Sequence, residues 1–437
     1  MPTSPVDSHP SVDRLERSAI APILQRAIAQ GHLSADCPSL ILHDLGRLDA
    51  RLADLRASFP PGSLHAVAIK ANPLVEVLRF CVERGAGLEA ASYEEVALAR
   101  AAECPPDRIV YDSPAKTISD LERALRLGVR INIDNMDELA RIAALREEIP
   151  SESRIGMRVN PLVGEGRIRA TSVAGPGSKF GLPLVAGDRS LIDAFARHDW
   201  LTGLHVHVGS QGCDVAQMVE AVRRLHGLRT EIHRSLGREQ VRSLDLGGGL
   251  PVAYRPEDRP PSFAEYAQAL RDAVPGLMDP GLELVTEFGR HLQANAGWAV
   301  SRVEYVKRHG EHRLAVVHLG ADFLVRRAYR PEDWYHELQV FDAAGVPKSS
   351  EVEPWTIAGP LCFSGDVLGR DLPLPAIEPG DWLVIRDVGA YTLGMWSRYC
   401  SRRIPPVLGY DGSETFRVLR EGEEANDLVA FWSRSRP

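Results

Sequence analysis

One of the five lysines in this chain stands where an amine can do chemistry. The stretch from His65 to Ile69 is mostly apolar and leads directly into Lys70. This pattern predicts a buried strand followed by a turn. Burial disfavours a charged ammonium, so we expect the pKa of Lys70 to be lowered and its amine to be nucleophilic. Such an amine can hold an aldehyde cofactor, for example pyridoxal phosphate (PLP), as a Schiff base. The alternative is a lysine that lies along the strand end with its amine in water.

Two further motifs supply groups that a phosphorylated ring would need. Three consecutive glycines, Gly247, Gly248 and Gly249, offer backbone N–H groups that can surround an anion. This motif is neither a Rossmann fingerprint nor a P-loop, and glycines also form plain tight turns. Glu287 can hold a pyridine nitrogen protonated, which makes the ring an electron sink. The alternative for Glu287 is an ordinary ion pair with Arg290.

Histidine and cysteine give less specific signals. His205 and His207 are two residues apart on a predicted strand, so they face the same side. No third ligand is patterned near them, and we therefore predict no metal site. Stacking of His207 on a planar cofactor is favoured over metal binding, and a place in the core is the alternative. Cys362 lies in a predicted loop, where its thiol can donate a proton or simply pack.

The elements that would position these groups alternate regularly between residues 45 and 298. Short apolar segments, each followed by helical spacing, begin at His65, Gly85, Arg108, Arg130, Arg154, Leu201, Val241 and Leu282. Alternating strands and helices predict a parallel sheet, and eight repeats predict a closed (β/α)8 barrel of the TIM type. The polar candidates then lie at the carboxyl ends of the strands, where such barrels carry their chemistry. Loops are also polar simply because they meet water, so this pattern has a structural alternative.

The pattern changes after about residue 300. Strand-like segments bounded by Gly, Pro and Asp replace the helices, which predicts a second, all-β domain. We expect the barrel over residues 45–298 and the β-domain over residues 1–44 and 299–437. The predicted strand Ser39–Asp44 would return to the β-domain, which would also carry the loops of Cys362 and Tyr391. The predicted fold class is α/β.

Composition excludes several classes of protein. The 437 residues exceed one ordinary core, and 44% hydrophobic with 25% charged residues is typical of a globular protein. A net charge of −8 without a basic block argues against nucleic acid as a partner. We see no membrane span and no signal peptide, so we expect no membrane association. The six scattered cysteines predict free thiols in a reducing cytoplasm.

In combination, the motifs resemble those of a known family. From Ser39 to Tyr399 the chain is similar to fold-type III PLP-dependent decarboxylases, the relatives of diaminopimelate, ornithine and arginine decarboxylase, and is nearest to diaminopimelate decarboxylase. The motifs that carry the resemblance are Ala68-Ile-Lys70-Ala-Asn72, His205-Val-His207-Val-Gly-Ser210, Asp245-Leu-Gly-Gly-Gly249, Glu287-Phe-Gly-Arg290, Gly359-Pro-Leu-Cys362-Phe-Ser-Gly-Asp366 and Gly389-Ala-Tyr391.

The resemblance implies PLP-dependent decarboxylation of a small-molecule amino acid and a role for each matching residue. Lys70 would hold PLP, His207 would stack on its ring, and Glu287 would bond its nitrogen. The cofactor phosphate would be surrounded by Ser210, Gly247, Gly248, Gly249, Gly289, Arg290 and Tyr391. The resemblance also implies substrate binding by Arg326, Phe363 and Asp366. The family works as a homodimer with shared sites, in which Cys362 of the partner subunit would protonate the product carbanion.

The chain also departs from the family pattern. Phe288 replaces a proline, and Arg327 stands where a proline follows the family arginine. Phe363 replaces a glutamate that, in the diaminopimelate branch, helps to read the far end of the substrate. A phenyl ring attracts an ammonium group only weakly, through its face. We therefore hypothesise that the distal group of the substrate differs from that of diaminopimelate.

Two alternatives remain at this point. One is a PLP-dependent racemase or lyase on the same fold; Glu287 speaks against it, because such racemases place an arginine at the pyridine nitrogen. The other is a non-catalytic homologue that still binds PLP, which the change at Phe363 keeps open.

Overall fold

The computed structural model describes residues 17–433. The first 16 residues, which we predicted to belong to a loosely ordered or helical lead-in, lie outside the described residues, as do residues 434–437. The described chain begins with helix α1 (Arg17–Ala29) and strand β1 (Ser39–Asp44).

Eight parallel strands close into a barrel. Each strand pairs with the next one along the chain, and the last pairs with the first through Val285 and Leu64. A ninth, two-residue strand, β7 (Leu182–Pro183), pairs beside β6 without entering the ring. The predicted barrel is confirmed, and each strand begins within two residues of its predicted start. The barrel strands are β2 (Leu64–Ala68), β3 (Gly87–Ala90), β4 (Ile109–Asp112), β5 (Arg130–Ile133), β6 (Ile155–Asn160), β8 (Leu201–Val206), β9 (Ser243–Asp245) and β10 (Glu283–Thr286).

Helices cover the outside of the barrel because each has one apolar face. In α5, for example, Leu121, Ala124 and Leu125 are buried, and Thr117 and Asp120 form a capping box at its start. The helices of this layer are α2 (Leu45–Ser58), α3 (Val75–Glu83), α4 (Tyr93–Ala101), α5 (Ile118–Leu127), α6 (Met136–Glu148), α7 (Ser190–Arg197), α8 (Val215–Leu236) and α9 (Phe263–Ala273), followed by the short α10 (Arg290–Gln293).

The remaining strands form one nine-stranded sheet. The long strand β11 pairs with β1, β12 and β16, so the sheet branches there. The predicted return of Ser39–Asp44 to this sheet is confirmed. The other strands are β12 (His312–Val317), β13 (Leu338–Phe341), β14 (Val352–Ala358), β15 (Val367–Pro375), β16 (Trp382–Ile385), β17 (Val407–Tyr410) and β18 (Arg417–Arg420), after β11 (Gly297–His309); helices α11 (Val325–Tyr329) and α12 (Ala425–Ser433) accompany them.

Three strands, β15, β17 and β18, are missing from the sequence-based prediction. They are short or contain prolines and charged residues, and β15 and β18 lie at the ends of the sheet order. Edge strands tolerate such residues, so pairing rather than composition defines them. The limits of the two domains stay a prediction.

The β-domain contacts the barrel at the turn that carries Lys70. The backbone N–H of Tyr391 donates to the carbonyl of Ala71 at 2.7 Å, and Asn72 Nδ2 donates to the carbonyl of Gly389 at 3.4 Å. The loop around Tyr391 therefore closes one side of the space above Lys70. Among residues 17–433, no helix has both the length and the apolar character that crossing a membrane requires.

Candidate active site

Lys70 lies in a single 3-10 turn, Ile69–Ala71, directly after β2. Its side chain keeps 38% of its surface exposed, and its Nζ donates to the fully buried carboxylate of Glu89 at the end of β3. Burial opposes the charge of Lys70, but the charge of Glu89 more than offsets it, so the pKa of Lys70 is raised. Our prediction of a lowered pKa is wrong for this arrangement, because burial can be inferred from the sequence but the facing carboxylate cannot.

Glu287 is a second buried acid that acts on Lys70, and it lies immediately after β10. Its Oε1 has no hydrogen-bond partner among residues 17–433, and its Oε2 lies 3.5 Å from His205 Nε2. Burial raises the pKa of Glu287 well above its usual range, and the charges of Glu89 and Asp112 raise it further. A carboxyl in this situation favours its neutral form until a cation or a proton-bearing nitrogen lies beside it.

The alternative that Glu287 pairs with Arg290 is wrong in this structure. Arg290 Nε instead donates to Ser210 Oγ at 3.1 Å, and its Nη1 donates to the hydroxyl of Tyr254 at 2.7 Å. Its Nη2 is buried and has no hydrogen-bond partner in the described part of the chain. Arg290 therefore keeps one donor for a further group.

Glu287 also belongs to a cluster of buried polar side chains at the barrel strands. Atoms of Asp112, His205 and Glu287 that could bind a metal lie within 4.8 Å of one another. Arg158 Nη1 stands 2.6 Å from Asp112 Oδ2. Burial acts against the charge of Asp112, but Arg158 outweighs it, so the pKa of Asp112 is lowered. The guanidinium of Arg158 thus already balances the charge of Asp112. His207 is not part of the cluster of Asp112, His205 and Glu287.

The glycine motif forms the next part of the pocket. The N–H of Gly248 donates to His207 Nδ1 at 3.1 Å. A Cβ atom on Gly248 would lie 2.3 Å from the carbonyl oxygen of Glu287, and Gly247 and Gly249 have φ of +66° and +107°. The loop therefore needs glycine to approach the strand ends. Burial, and then the charge of Arg158, lowers the pKa of His207 well below its usual range, so its imidazole is neutral at pH 7.

Most of the predicted cofactor residues line one pocket. This pocket is lined in part by Lys70, His207, Ser210, Gly249, Glu287, Gly289, Arg290 and Tyr391. Gly248 contacts it through His207, and Gly247 packs on His207 in the same loop. The structure therefore brings together residues that are spread over more than 300 positions of the sequence.

A second arginine stands beside this pocket. The guanidinium carbons of Arg290 and Arg326 lie 4.4 and 4.8 Å from the ring centre of Tyr391, and 4.9 and 4.6 Å from that of Trp334. Burial, and then the charge of Arg290, lowers the pKa of Arg326 to about 10. Two cations that share aromatic neighbours favour an anion between them. Tyr254 and Trp334 were not predicted, because no sequence motif marks them.

Cys362, Phe363 and Asp366 are not part of the pocket lining around Lys70 in the same chain. Cys362 is exposed. Phe363 stacks on Tyr329 at a ring distance of 5.8 Å and an angle of 14°. Asp366 is buried, and its oxygens accept the N–H groups of Ala321 and Leu361, each at 2.6 Å. Asp366 thus fixes the loop of Cys362, and this use of its carboxylate argues against direct contact with a substrate.

Comparison with known proteins gives the family. The family model for the pyridoxal-binding domain of pyridoxal-dependent decarboxylases matches residues 45–294, which is more than half of the chain. The chain belongs to this decarboxylase family. It is accordingly a PLP-dependent carboxy-lyase that acts on an amino acid, which favours decarboxylation over both alternatives left open by the sequence.

Individual relatives of this decarboxylase agree in name. It is 34% identical over 367 residues to diaminopimelate decarboxylase of Methanothermobacter thermautotrophicus, covering 83% of each chain. It is also 34% identical over 383 residues to the Pseudomonas aeruginosa diaminopimelate decarboxylase, covering 86% of this chain and 88% of that one. The crystal structure of Helicobacter pylori diaminopimelate decarboxylase complexed with L-lysine superposes with a TM-score of 0.81 at 27% identity, covering 93% and 98% of the two chains.

The pocket of this decarboxylase fits PLP on chemical grounds. An amine suited to an aldehyde, a buried carboxyl suited to a ring nitrogen and an arginine with a spare donor face one space, beside a glycine loop. The neutral ring of His207 is suited to lie against an aromatic face. Each of the three parts of the cofactor thus finds a matching group.

Proposed function

We propose that Lys70 holds the aldehyde of PLP and that Glu287 faces the ring nitrogen. The observation that carries this assignment is the pairing, in one pocket, of the Lys70 amine with a buried carboxyl whose Oε1 lacks a partner among the described residues. The phosphate is assigned to the loop of Gly247, Gly248 and Gly249, together with Ser210, Gly289, Arg290 and Tyr391. His207 packs on the ring.

These residues divide the work of decarboxylation. PLP, when bound, supplies the electron sink for the pair left behind as CO₂ departs. Glu287 keeps that sink charged by accepting a hydrogen bond from a protonated ring nitrogen, which would supply the partner that Glu287 Oε1 lacks among the described residues. Lys70 exchanges protons at Nζ, with Glu89 as its ion-pair partner. The thiol of Cys362 delivers the final proton to the α-carbon.

The substrate is an amino acid related to diaminopimelate, the compound in the names of the relatives. Arg326, buried beside Arg290, is suited to bind a substrate carboxylate. Phe363, stacked with Tyr329, presents an apolar surface where the family has an acid. We therefore expect a distal substrate group other than a free ammonium.

The active assembly is a homodimer in which the Cys362 loop enters the pocket of the partner subunit. Cys362 is exposed rather than placed beside Lys70 of its own chain. Near it, Tyr329 and Tyr399 are 64% and 51% exposed and both pack on Phe363. Exposed aromatic clusters of this kind are typical of interfaces. The free cysteines favour a cytoplasmic location.

The test is CO₂ release by purified, PLP-loaded protein from a panel of amino acids. The panel contains meso-diaminopimelate, both enantiomers of ornithine and lysine, arginine, and N-substituted or carboxylated diamino acids. We expect release from one member with a modified distal end, and a gain for diaminopimelate in Phe363→Glu. Diaminopimelate as the best substrate of the unaltered protein would contradict the assignment of Phe363.

The assignment of Lys70 is tested on the same preparation by visible absorbance. Lys70→Ala should abolish both the absorbance of covalently held cofactor and CO₂ release. Lys179→Ala, which removes an exposed lysine, is the matched control and should retain both. An unchanged spectrum in Lys70→Ala would refute the role of this lysine.

A further inference from the structure

Two exposed cysteines that are far apart in sequence lie in contact in the structure. The backbone N–H of Cys362 points at Cys400 Sγ, with a nitrogen–sulfur distance of 3.5 Å. Because an N–Cα bond is about 1.46 Å, the sulfur of Cys400 lies within about 5 Å of the α-carbon of Cys362. A disulfide joins α-carbons about 4.4–6.8 Å apart, a range that is compatible with this short approach of the Cys400 sulfur to the backbone of Cys362.

Both segments are held in place by other contacts. Asp366 fixes the loop of Cys362 through Leu361 and Ala321, as described above. On the other side, Arg398 pairs with Glu423 at 2.6 Å, and Ser397 N–H donates to the carbonyl of Asp322 at 2.8 Å. The proximity of the two cysteines is therefore fixed by the fold.

The backbone at Cys400 is unusual. Cys400 has φ +56° and ψ +17°, and Ser401 has φ +50°. Residues other than glycine rarely adopt this left-handed region, and such backbone tends to occur where a side chain has a function to serve. Here the conformation belongs to the turn that presents the Cys400 sulfur to the Cys362 loop.

We propose that Cys362 and Cys400 form a redox-active pair that a peroxide converts into an intrachain disulfide. One thiol attacks an oxygen of the peroxide and breaks the O–O bond. Its sulfur becomes a sulfenic acid, and the other oxygen leaves as water together with the thiol proton. The second thiol attacks that sulfur, which forms the S–S bond and releases a second water. Two thiols are oxidised and one peroxide is reduced; a dithiol reverses the change by exchange.

The disulfide removes the thiol proton of Cys362 and ties its loop to the Tyr399–Ser401 turn. Loss of activity on oxidation therefore rests on the proposed role of Cys362 as proton donor. Formation of the disulfide itself does not depend on that role. Cys362 is thus both the thiol needed for turnover and one half of a reversible modification site.

The experiment treats the PLP-loaded protein with hydrogen peroxide and maps its peptides without reduction. We expect a linked Cys362–Cys400 peptide, loss of two titratable thiols, and at least tenfold loss of CO₂ release that dithiothreitol restores. Cys400→Ser should keep its basal CO₂ release and lose the dithiothreitol-reversible inactivation. Cys37→Ser, which changes a half-buried free thiol elsewhere, is the matched control and should behave like the unaltered protein.

The possible outcomes separate the pair from the catalytic role. Absence of the linked peptide, or a link between the Cys362 residues of two subunits instead, would overturn the redox pair. Reversible inactivation of Cys400→Ser to the same extent as the unaltered protein would overturn it as well. A linked peptide with full activity would support the pair and overturn the role of Cys362 in turnover.

Discussion

At the scale of single residues, the buried carboxyl of Glu287 carries an oxygen, Oε1, without a hydrogen-bond partner among residues 17–433. A buried polar atom without a partner costs on the order of 1–3 kcal/mol. Such a cost is typical of binding sites, where a ligand supplies the missing partner. Glu287 was identified from the sequence by its position at a strand end. Glu89 occupies the corresponding position of another strand, but its contact with Lys70 could not be anticipated, because parallel strands bring residues together without any sequence proximity.

The role of Glu287 can be tested with an isosteric change. Glu287→Gln should lower kcat by about 10²-fold, because the amide cannot keep a ring nitrogen protonated, and leave the absorbance of lysine-held cofactor in place. The melting temperature should stay equal or rise, since a buried ionisable group is removed. The measurements are CO₂ release, visible absorbance and thermal unfolding.

Glu283→Gln is the matched control, at the other end of the same strand. Glu283 pairs with Arg130 and Arg154 at the amino end of β10, so its loss should cost stability and leave kcat unchanged. Equal kcat in Glu287→Gln and the unaltered protein would contradict the assignment of Glu287.

At the scale of elements, the glycine loop after β9 illustrates a second limit of sequence reasoning. Its glycines are equally consistent with a tight turn and with an anion site. Only the structure shows that a side chain at Gly248 would collide with the carbonyl of Glu287. Likewise, β15 and β18 escaped prediction because their strand character comes from pairing with neighbours, whereas the missed β17 is a buried apolar run of only four residues.

The glycine loop gives a prediction at this scale. Gly248→Ala should push the loop away from the strand ends, destabilise the fold by about 1–3 kcal/mol and weaken binding of PLP, because the loop would no longer lie against Glu287 and His207. The readouts are chemical unfolding and titration of cofactor into cofactor-free protein. Gly227→Ala, inside helix α8 with open space around its Cα, should instead be neutral or stabilise by about 1 kcal/mol. Similar effects of the two substitutions would rule out a special role for the loop.

At the scale of the whole molecule, the question is which subunit supplies Cys362. The fold places the Lys70 pocket and the exposed Cys362 loop at different parts of one chain. A twofold assembly can join such parts, because each subunit can place its Cys362 loop at the Lys70 pocket of the other subunit.

Mixed dimers decide this question. Lys70→Ala and Cys362→Ala proteins should each be inactive, and their mixture after subunit exchange should recover about a quarter of normal CO₂ release, since half of the dimers then hold one intact site. Lys70→Ala mixed with Glu287→Gln is the control and should show no such recovery, because both changes lie in the same barrel site. No recovery in the first mixture would indicate that each site is built from a single chain.

The sequence by itself determined the eight barrel strands, the return of Ser39–Asp44 to the second sheet and the motifs of the family. These features are local, because apolar runs, helical spacing and short motifs depend only on residues that are neighbours in the sequence. The tertiary structure alone decided that Lys70 faces Glu89, that Arg290 binds Ser210 and Tyr254 instead of Glu287, and that Cys362 meets Cys400. Such contacts join residues 19 to 80 positions apart, and their charges and distances depend on how the whole chain closes.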